Sequence, residues 1–163
     1  MDALSKILVV DASPEGQRFL ADILTTEGYA LVTAGSGPEA LARAETERPD
    51  LVLLDPTMLG MDGHEVCRKI RGNAATGMPF ILMVTPLKAD SEHLKGFEGG
   101  ADEALTRPIN EAELLTRVRS LLRIKRLTDT VRAQARQLIE RNRDPTEDSH
   151  ELIPMLRENT TRR

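Results

Sequence analysis

The chain has 163 residues, of which 40% are hydrophobic and only 2% aromatic, and its formal net charge is −4 at pH 7. This length fits one domain of ordinary size plus an appendage. The acidic balance argues against a nucleic-acid partner, the single cysteine (Cys67) excludes an internal disulfide, and no apolar run is long enough to span a membrane, so a cytoplasmic protein is expected.

Five short apolar segments alternate with segments of helical periodicity along the chain. We interpret the apolar segments as strands, at residues 6–10, 29–34, 50–54, 80–84 and 103–106. The third contains the run Leu51-Val52-Leu53-Leu54, which has no polar alternation and is typical of a strand buried on both faces of a parallel sheet. Strands and helices that alternate in this way predict an α/β fold with a doubly wound five-stranded parallel sheet.

Local signals mark where the helices begin and end. The predicted helices cover residues 14–27, 38–47, 64–71 and 88–98, and a last helix follows residue 110. Ser13 can cap the first helix, and Pro14 suits its first turn. Asn110, with Glu113 three residues later, has the pattern of a capping box at the start of the last helix.

The last helix is predicted to extend beyond the domain and to pair with another copy. Ile124, Leu127, Val131, Gln134 and Leu138 follow one another at spacings of three, four, three and four, which is the register of a short coiled coil with one polar position. We therefore expect a homodimer through this C-terminal helix. The alternative is a single solvated helix that packs on its own domain.

These patterns divide the chain into three predicted segments. Residues 1–125 form the domain, residues 126–143 a helical extension, and residues 144–163 a disordered tail. Asp144-Pro145 is interpreted as the break that ends the helix, because proline lacks a backbone donor and clashes with the preceding turn. The polar composition after residue 142 is typical of disorder.

Two acidic residues stand where apolar strands end. Asp11 follows the first strand, and Asp55 follows the third. In open parallel sheets, ligands bind at the carboxyl ends of the strands, so these two acids predict a site. A dinucleotide site is excluded, because the turn after the first strand, Asp11-Ala12-Ser13-Pro14-Glu15-Gly16, is not rich in glycine.

An ordered set of motifs over residues 5–125 resembles the receiver domain of two-component response regulators. The motifs are Ile7-Leu8-Val9-Val10-Asp11, Asp50-Leu51-Val52-Leu53-Leu54-Asp55, Gly60-Met61-Asp62-Gly63, Val84-Thr85 and Thr106-Arg107-Pro108-Ile109. The resemblance implies a flavodoxin-like fold, here with an extended C-terminal helix. It also implies a module that is not itself an enzyme and that has a histidine kinase or another signalling protein as its partner.

The resemblance assigns a role to each residue of the predicted site. Asp55 would accept the phosphoryl group. Asp11, Asp55 and the backbone carbonyl of Thr57 would bind Mg²⁺. Thr85 would hydrogen-bond a phosphoryl oxygen, and Arg107 would contact the same group from the position where the family has lysine.

Several positions depart from the family pattern. Ala12 replaces the second acid, which is typically a direct metal ligand, so Mg²⁺ binding is expected to be weak or absent. Arg107 keeps the positive charge of the lysine but is broader and planar. Ala104 replaces the aromatic residue of the family's switch, and Pro56 and Pro86 stiffen the loops that follow the acceptor and the switch threonine.

The residues leave more than one function open. The first hypothesis is a signalling receiver, phosphorylated at Asp55, that acts through protein–protein contacts. The second is a phosphate-independent pseudo-receiver adaptor, or a fragment of a receiver–cyclase protein, in which Asp55, Asp11 and Arg107 form a structural ion pair. A small phosphatase with Asp55 as nucleophile is disfavoured, because Thr57 stands where such enzymes often carry a second aspartate. Transcription control is disfavoured by the acidic charge and the lack of a winged-helix segment.

Overall fold

Five parallel strands form the centre of the protein, in the order β2-β1-β3-β4-β5. They are β1 (Lys6–Val10), β2 (Ala30–Ala34), β3 (Leu51–Leu54), β4 (Phe80–Thr85) and β5 (Glu103–Thr106). A computed structural model provides this description, for residues 4–57, 60–85 and 100–160, with side chains as far as residue 142. The predicted doubly wound five-stranded sheet is confirmed.

Four α-helices lie within the described part of the chain. They are α1 (Pro14–Thr26), α2 (Gly37–Glu47), α3 (Gly63–Arg71) and α4 (Glu111–Thr160), with a 3₁₀ turn at Ala74–Thr76. The helix predicted at residues 88–98 and Pro86 lie outside the described residues.

Two of the predicted helix starts are capped by side chains. The hydroxyl oxygen of Ser13 accepts a hydrogen bond from the backbone N–H of Gly16 (3.2 Å), and Pro14 is the first residue of α1. The side-chain oxygen of Asn110 accepts from the backbone N–H of Glu113 (3.1 Å) at the start of α4. Each bond satisfies a donor that has no partner inside the helix, so both predicted caps are confirmed.

Side chains that alternate along the strands build one apolar layer on each face of the sheet. One layer joins Leu8, Val10, Val52, Leu54, Ile81 and Met83 to residues of α2 and α3. The other joins Ile7, Val9, Leu51, Leu53 and Leu82 to residues of α1 and the first three turns of α4. Because both faces are covered, the polar residues of the central strands are confined to the strand ends, where the site lies.

The last helix does not end where the sequence predicted. The backbone of α4 is helical to Thr160, past the break expected at Asp144-Pro145. Proline has a φ angle that suits a helix, so a single proline can cost one backbone hydrogen bond without ending the helix. The interpretation of residues 144–163 as a disordered tail remains a prediction.

The chain divides into two compact units, residues 1–125 and residues 126–163. The first unit contains the whole sheet, and the second belongs to α4. Within the described residues, no helix combines the length and the apolar composition that crossing a bilayer requires.

Cys67 lies on the buried face of α3, with none of its surface exposed. Burial disfavours the charged thiolate and raises the pKa of the Cys67 thiol to about 11, although Arg71 and Arg68 act in the opposite direction. The thiol is therefore a small apolar core group at neutral pH.

Candidate functional site

The ends of β1 and β3 bring the two predicted acids to the same edge of the sheet. The strands are parallel neighbours, with Val10 opposite Leu54. The residues that follow them are Asp11, whose N–H donates to Ala34 O (3.1 Å), and Asp55, whose N–H donates to Val10 O (3.0 Å). These bonds continue the sheet pairing by one residue and fix both backbones.

Asp11 is a buried acid whose two oxygens are held by different groups. Its exposed fraction is 3%. Oδ1 accepts from the N–H of Ser13 (2.8 Å), and Oδ2 accepts from Nη2 of Arg107 (3.1 Å). The Gln17 amide donates to the Asp11 backbone carbonyl (2.7 Å) and ties α1 to the end of β1. A buried carboxylate needs hydrogen-bond donors of this kind to offset its loss of hydration.

Arg107 bridges the two acids from the loop between β5 and α4. Its N–H donates to Thr85 O (2.8 Å), which continues the pairing of β4 and β5, and a cis peptide bond joins it to Pro108. Nη2 lies 3.1 Å from Asp11 Oδ2 and 3.6 Å from Asp55 Oδ2. The arginine therefore forms its closer ion pair with Asp11.

Asp55 is less enclosed than Asp11, with 14% of its side chain exposed. Its Oδ1 accepts two hydrogen bonds from Thr57, one from the backbone N–H (2.8 Å) and one from the hydroxyl (2.6 Å). Its Oδ2 faces Arg107. Oδ1 thus accepts the two hydrogen bonds of a local turn, and Oδ2 is the oxygen beside the Arg107 guanidinium.

Thr85 lies at the end of β4 and is fully buried. Its hydroxyl donates to the backbone carbonyl of Leu105 on β5 (3.1 Å). A hydroxyl has one proton to donate, so this bond directs it at β5. The structure thus brings Asp11, Asp55, Thr57 and Arg107 into one group of hydrogen bonds and ion pairs, in which Arg107 and Asp55 are joined by an ion pair alone, and gives Thr85 a different partner.

Sequence reasoning missed two residues that shape the site. Gln17 holds the backbone of Asp11, and Gly16 lies against the carboxylate of Asp11. The available signal was the glycine itself, because glycine within a helix is disfavoured relative to alanine and needs a packing reason. Ala12, which stands where the second acid was expected, is exposed.

The site offers a limited set of ligands for a divalent metal ion. Asp11 and Asp55 place carboxylate oxygens at this edge, Thr57 follows two residues after Asp55, and the described residues contain no group of three or more His, Cys, Asp or Glu that could hold a metal. Mg²⁺ usually takes one or two carboxylates and keeps several waters, so the donors fit this ion. Arg107 already pairs with both carboxylates and would compete with it.

Sequence comparison identifies relatives of the chain. Residues 7–119 match the family model described as response regulator receiver domain. Response regulator PleD of Caulobacter vibrioides is 42% identical over 128 residues, which are 78% of this chain and 28% of PleD. The chain thus spans less than a third of the length of that relative.

Solved structures with the same fold include a response regulator from Chloroflexus aurantiacus, with a TM-score of 0.71, 32% identity, and coverage of 74% of this chain and 98% of that one. Another is the receiver domain of a sensor histidine kinase from Pseudomonas aeruginosa, with a TM-score of 0.68, 25% identity, and coverage of 74% and 98%. The latter holds a magnesium ion coordinated in its active site cleft.

Proposed function

The chain belongs to the response regulator receiver domain family of two-component signalling, and from this premise we propose that Asp55 accepts a phosphoryl group from a histidine kinase. The observation that carries the proposal is the partly exposed Asp55 carboxylate at the strand edge, with its Oδ2 3.6 Å from the Arg107 guanidinium. Catalysis of phosphoryl transfer relies on positioning and charge neutralisation, and this pair supplies both.

The reacting atom in this proposal is Oδ2 of Asp55. Oδ1 already accepts two hydrogen bonds from Thr57, which lower its availability. Oδ2 forms the new bond to phosphorus while the bond from phosphorus to the donor's nitrogen or oxygen breaks; a departing histidine nitrogen takes up a proton from solvent, whereas acetate departs as the anion. Arg107 neutralises charge on the transferred group. Thr85 would then exchange its bond to Leu105 for one to a phosphoryl oxygen.

We further propose that Mg²⁺ binds weakly at this site and assists the transfer of the phosphoryl group to Asp55. The ion would be held by Asp11, Asp55 and the carbonyl of Thr57, with water as the other ligands, because Ala12 offers no carboxylate. When bound, it would supply positive charge to the transferred phosphoryl group. The related P. aeruginosa receiver holds a magnesium ion in its active site cleft, which supports the proposal that this chain binds the ion.

A specific observation also favours the phosphate-independent alternative. Arg107 pairs with Asp11 at 3.1 Å and with Asp55 at 3.6 Å, so the three side chains can serve as a structural ion pair without any transferred group. In that case the chain would be an adaptor, or a receiver within a longer receiver–cyclase protein, and it would signal through contacts alone. A cytoplasmic location is part of both proposals.

We expect acetyl phosphate with Mg²⁺ to add one phosphoryl group to the natural chain and none to Asp55→Asn. Asparagine keeps the size of the side chain but removes the nucleophilic carboxylate. Intact-mass spectrometry over a time course would measure the modified fraction. The matched control is Asp62→Asn, an exposed acid at the start of α3 that should be labelled like the natural chain, since asparagine also caps helices.

The outcome separates the two proposals. Label on the natural chain and on Asp62→Asn, but not on Asp55→Asn, establishes Asp55 as acceptor. Label that persists in Asp55→Asn contradicts the assignment of the residue. A folded natural chain that takes no label contradicts phosphoryl acceptance and supports the ion-pair adaptor.

We also propose that the chain forms a homodimer through α4. Leu127, Val131 and Leu138 expose 61%, 63% and 59% of their surface and follow the predicted coiled-coil register. Between Leu127 and Leu138 the residues that flank this stripe in the heptad are uncharged; they are Thr128, Thr130, Ala135 and Gln137, whereas Arg123 flanks Ile124 at the start of the register. Between Leu127 and Leu138 two such faces can approach without like charges meeting at their edges, which is the support for pairing.

Replacing Leu138 with aspartate is expected to weaken the homodimer about 100-fold, because the change removes an apolar contact from both copies. Sedimentation equilibrium over a concentration series would measure the dissociation constant. Ile139→Asp is the matched control: Ile139 is equally exposed, at 58%, but lies outside the register, so its change should have little effect. Equal weakening by both variants would contradict pairing in this register.

The salt dependence of the dimer has a predicted sign. Residues 124–142, which carry the apolar stripe, contain five Arg or Lys and two acids, so these stretches of two paired helices repel each other. Added salt screens this repulsion and should tighten the dimer. A dimer that weakens with salt would instead indicate contact between this basic stretch and an acidic surface.

A further inference from the structure

Gly16 lies in the first turn of α1, directly against the carboxylate of Asp11. A Cβ atom at this position would overlap Oδ2 of Asp11 and would lie 2.7 Å from its Cγ and 3.0 Å from its Oδ1. Real Cβ atoms essentially never lie within 3.0 Å of a non-bonded heavy atom, so a side chain at residue 16 requires the carboxylate of Asp11 to move. The backbone of Gly16 is in an ordinary helical conformation, which leaves this close approach as the reason for the glycine.

The carboxylate of Asp11 has no alternative place with the same partners. It is 3% exposed, with Oδ1 bonded to the N–H of Ser13 and Oδ2 bonded to Arg107. The oxygen that a Cβ atom would approach most closely, Oδ2, is also the one that holds Arg107. Any movement of the carboxylate away from Gly16 therefore disturbs its bond to Arg107.

We propose that Gly16 is a positioning residue for the site. The lack of a side chain allows the carboxylate of Asp11 to pack against α1, where it fixes Arg107 beside Asp55. Gly16 thus acts on Asp55 through Asp11 and Arg107, without contacting a transferred group itself. Its effect on phosphoryl transfer rests on the proposed function of Asp55, whereas its effect on Asp11 and Arg107 does not.

A stability cycle tests the link between Gly16 and Asp11. We expect Gly16→Ala to lower the melting temperature of the natural chain by roughly 3 °C or more, since the new methyl group overpacks a buried site. In an Asp11→Ala background the three atoms that the methyl group would meet are gone. There the same change should raise the melting temperature, because alanine favours a helix over glycine.

The opposite changes in melting temperature that Gly16→Ala should cause in the two backgrounds distinguish this positioning role from a general structural role. A glycine that matters only for the shape of α1 would show the same effect in both backgrounds, and that result would overturn the proposal. Arg18→Ala, on an exposed position of the same helix, serves as control and should change the melting temperature little in either background. Asp11→Asn, which keeps the bulk of the side chain, should preserve the destabilisation by Gly16→Ala.

Two further measurements follow the effect to Arg107 and Asp55. The guanidinium N–H signals of Arg107 in ¹⁵N-resolved NMR should be observable in the natural chain and should shift or broaden in Gly16→Ala as they do in Asp11→Ala. Labelling by acetyl phosphate should slow about tenfold in Gly16→Ala, with no added loss in the double variant relative to Asp11→Ala.

The labelling experiment tests a different claim from the melting temperatures and the Arg107 signals, so one can fail without the other. If the natural chain takes no label, the proposed function of Asp55 is wrong, while the melting temperatures and the Arg107 signals still decide the role of Gly16. If the Arg107 signals of Gly16→Ala match those of the natural chain, Gly16 does not position Arg107 and the proposal is overturned, whatever the labelling shows.

Discussion

Replacing Ala12 with aspartate is expected to tighten Mg²⁺ binding about 100-fold, because it returns a second carboxylate to the end of β1. Ala12 is exposed and follows Asp11, so a longer side chain can be accommodated there. The natural site has two carboxylates and one guanidinium, whose charges sum to −1. The added acid raises the attraction for a divalent ion and offsets the competition from Arg107.

The measurement is a Mg²⁺ titration followed by backbone amide shifts, with Ala12→Asn as control. Asparagine adds a side chain of the same shape without charge, so it should gain far less affinity than aspartate. We also expect Ala12→Asp to melt at a lower temperature than the natural chain without metal, through repulsion from Asp11 and Asp55, and to recover when Mg²⁺ is added. Equal affinity in the natural chain and in Ala12→Asp would show that residue 12 does not limit metal binding.

Replacing Gly63 with alanine is expected to lower the free energy of unfolding by about 3 kcal/mol. Gly63 is the first residue of α3, and a Cβ atom there would lie 2.5 Å from Cα of Pro56 and 2.8 Å from the backbone carbonyl oxygen of Asp55. Both are backbone atoms, so neither can rotate away as a side chain would. Gly63 also donates its N–H to Pro56 O (3.2 Å), which joins α3 closely to the segment after Asp55.

Urea denaturation of Gly63→Ala and Gly72→Ala would test this expectation at the two ends of one helix. Gly72 follows α3 with a φ of −83°, and the nearest atom to a Cβ there is Arg68 O at 3.4 Å, an ordinary contact. Its change should therefore alter stability by less than about 0.5 kcal/mol. Similar losses in both variants would mean that the general properties of glycine, and not the approach to Asp55, explain the effect.

Predictions that depend on local chemistry agree well with the structure. Residues 6–10 were predicted as a strand and have those bounds, because an apolar run between turn residues needs no distant information. The strand at residues 103–106 also has its predicted bounds, although only two of its four residues are apolar. The caps at Ser13 and Asn110 agree for the same reason, since a cap bonds an N–H only three residues away. The prediction failed at Pro145, where a local helix-breaking signal did not end α4.

The sequence by itself determined the alternation of strands and helices, the two acids at the strand ends and the apolar stripe of α4, because each depends on the order and periodicity of neighbouring residues. The tertiary structure alone decided that Arg107 pairs more closely with Asp11 than with Asp55, that the hydroxyl of Thr85 bonds Leu105, and that Gly16 adjoins Asp11. Arg107 and Asp11 are 96 residues apart in the chain. The position of a side-chain atom at that separation depends on the packing of every intervening element, and an error of one ångström is enough to exchange hydrogen-bond partners.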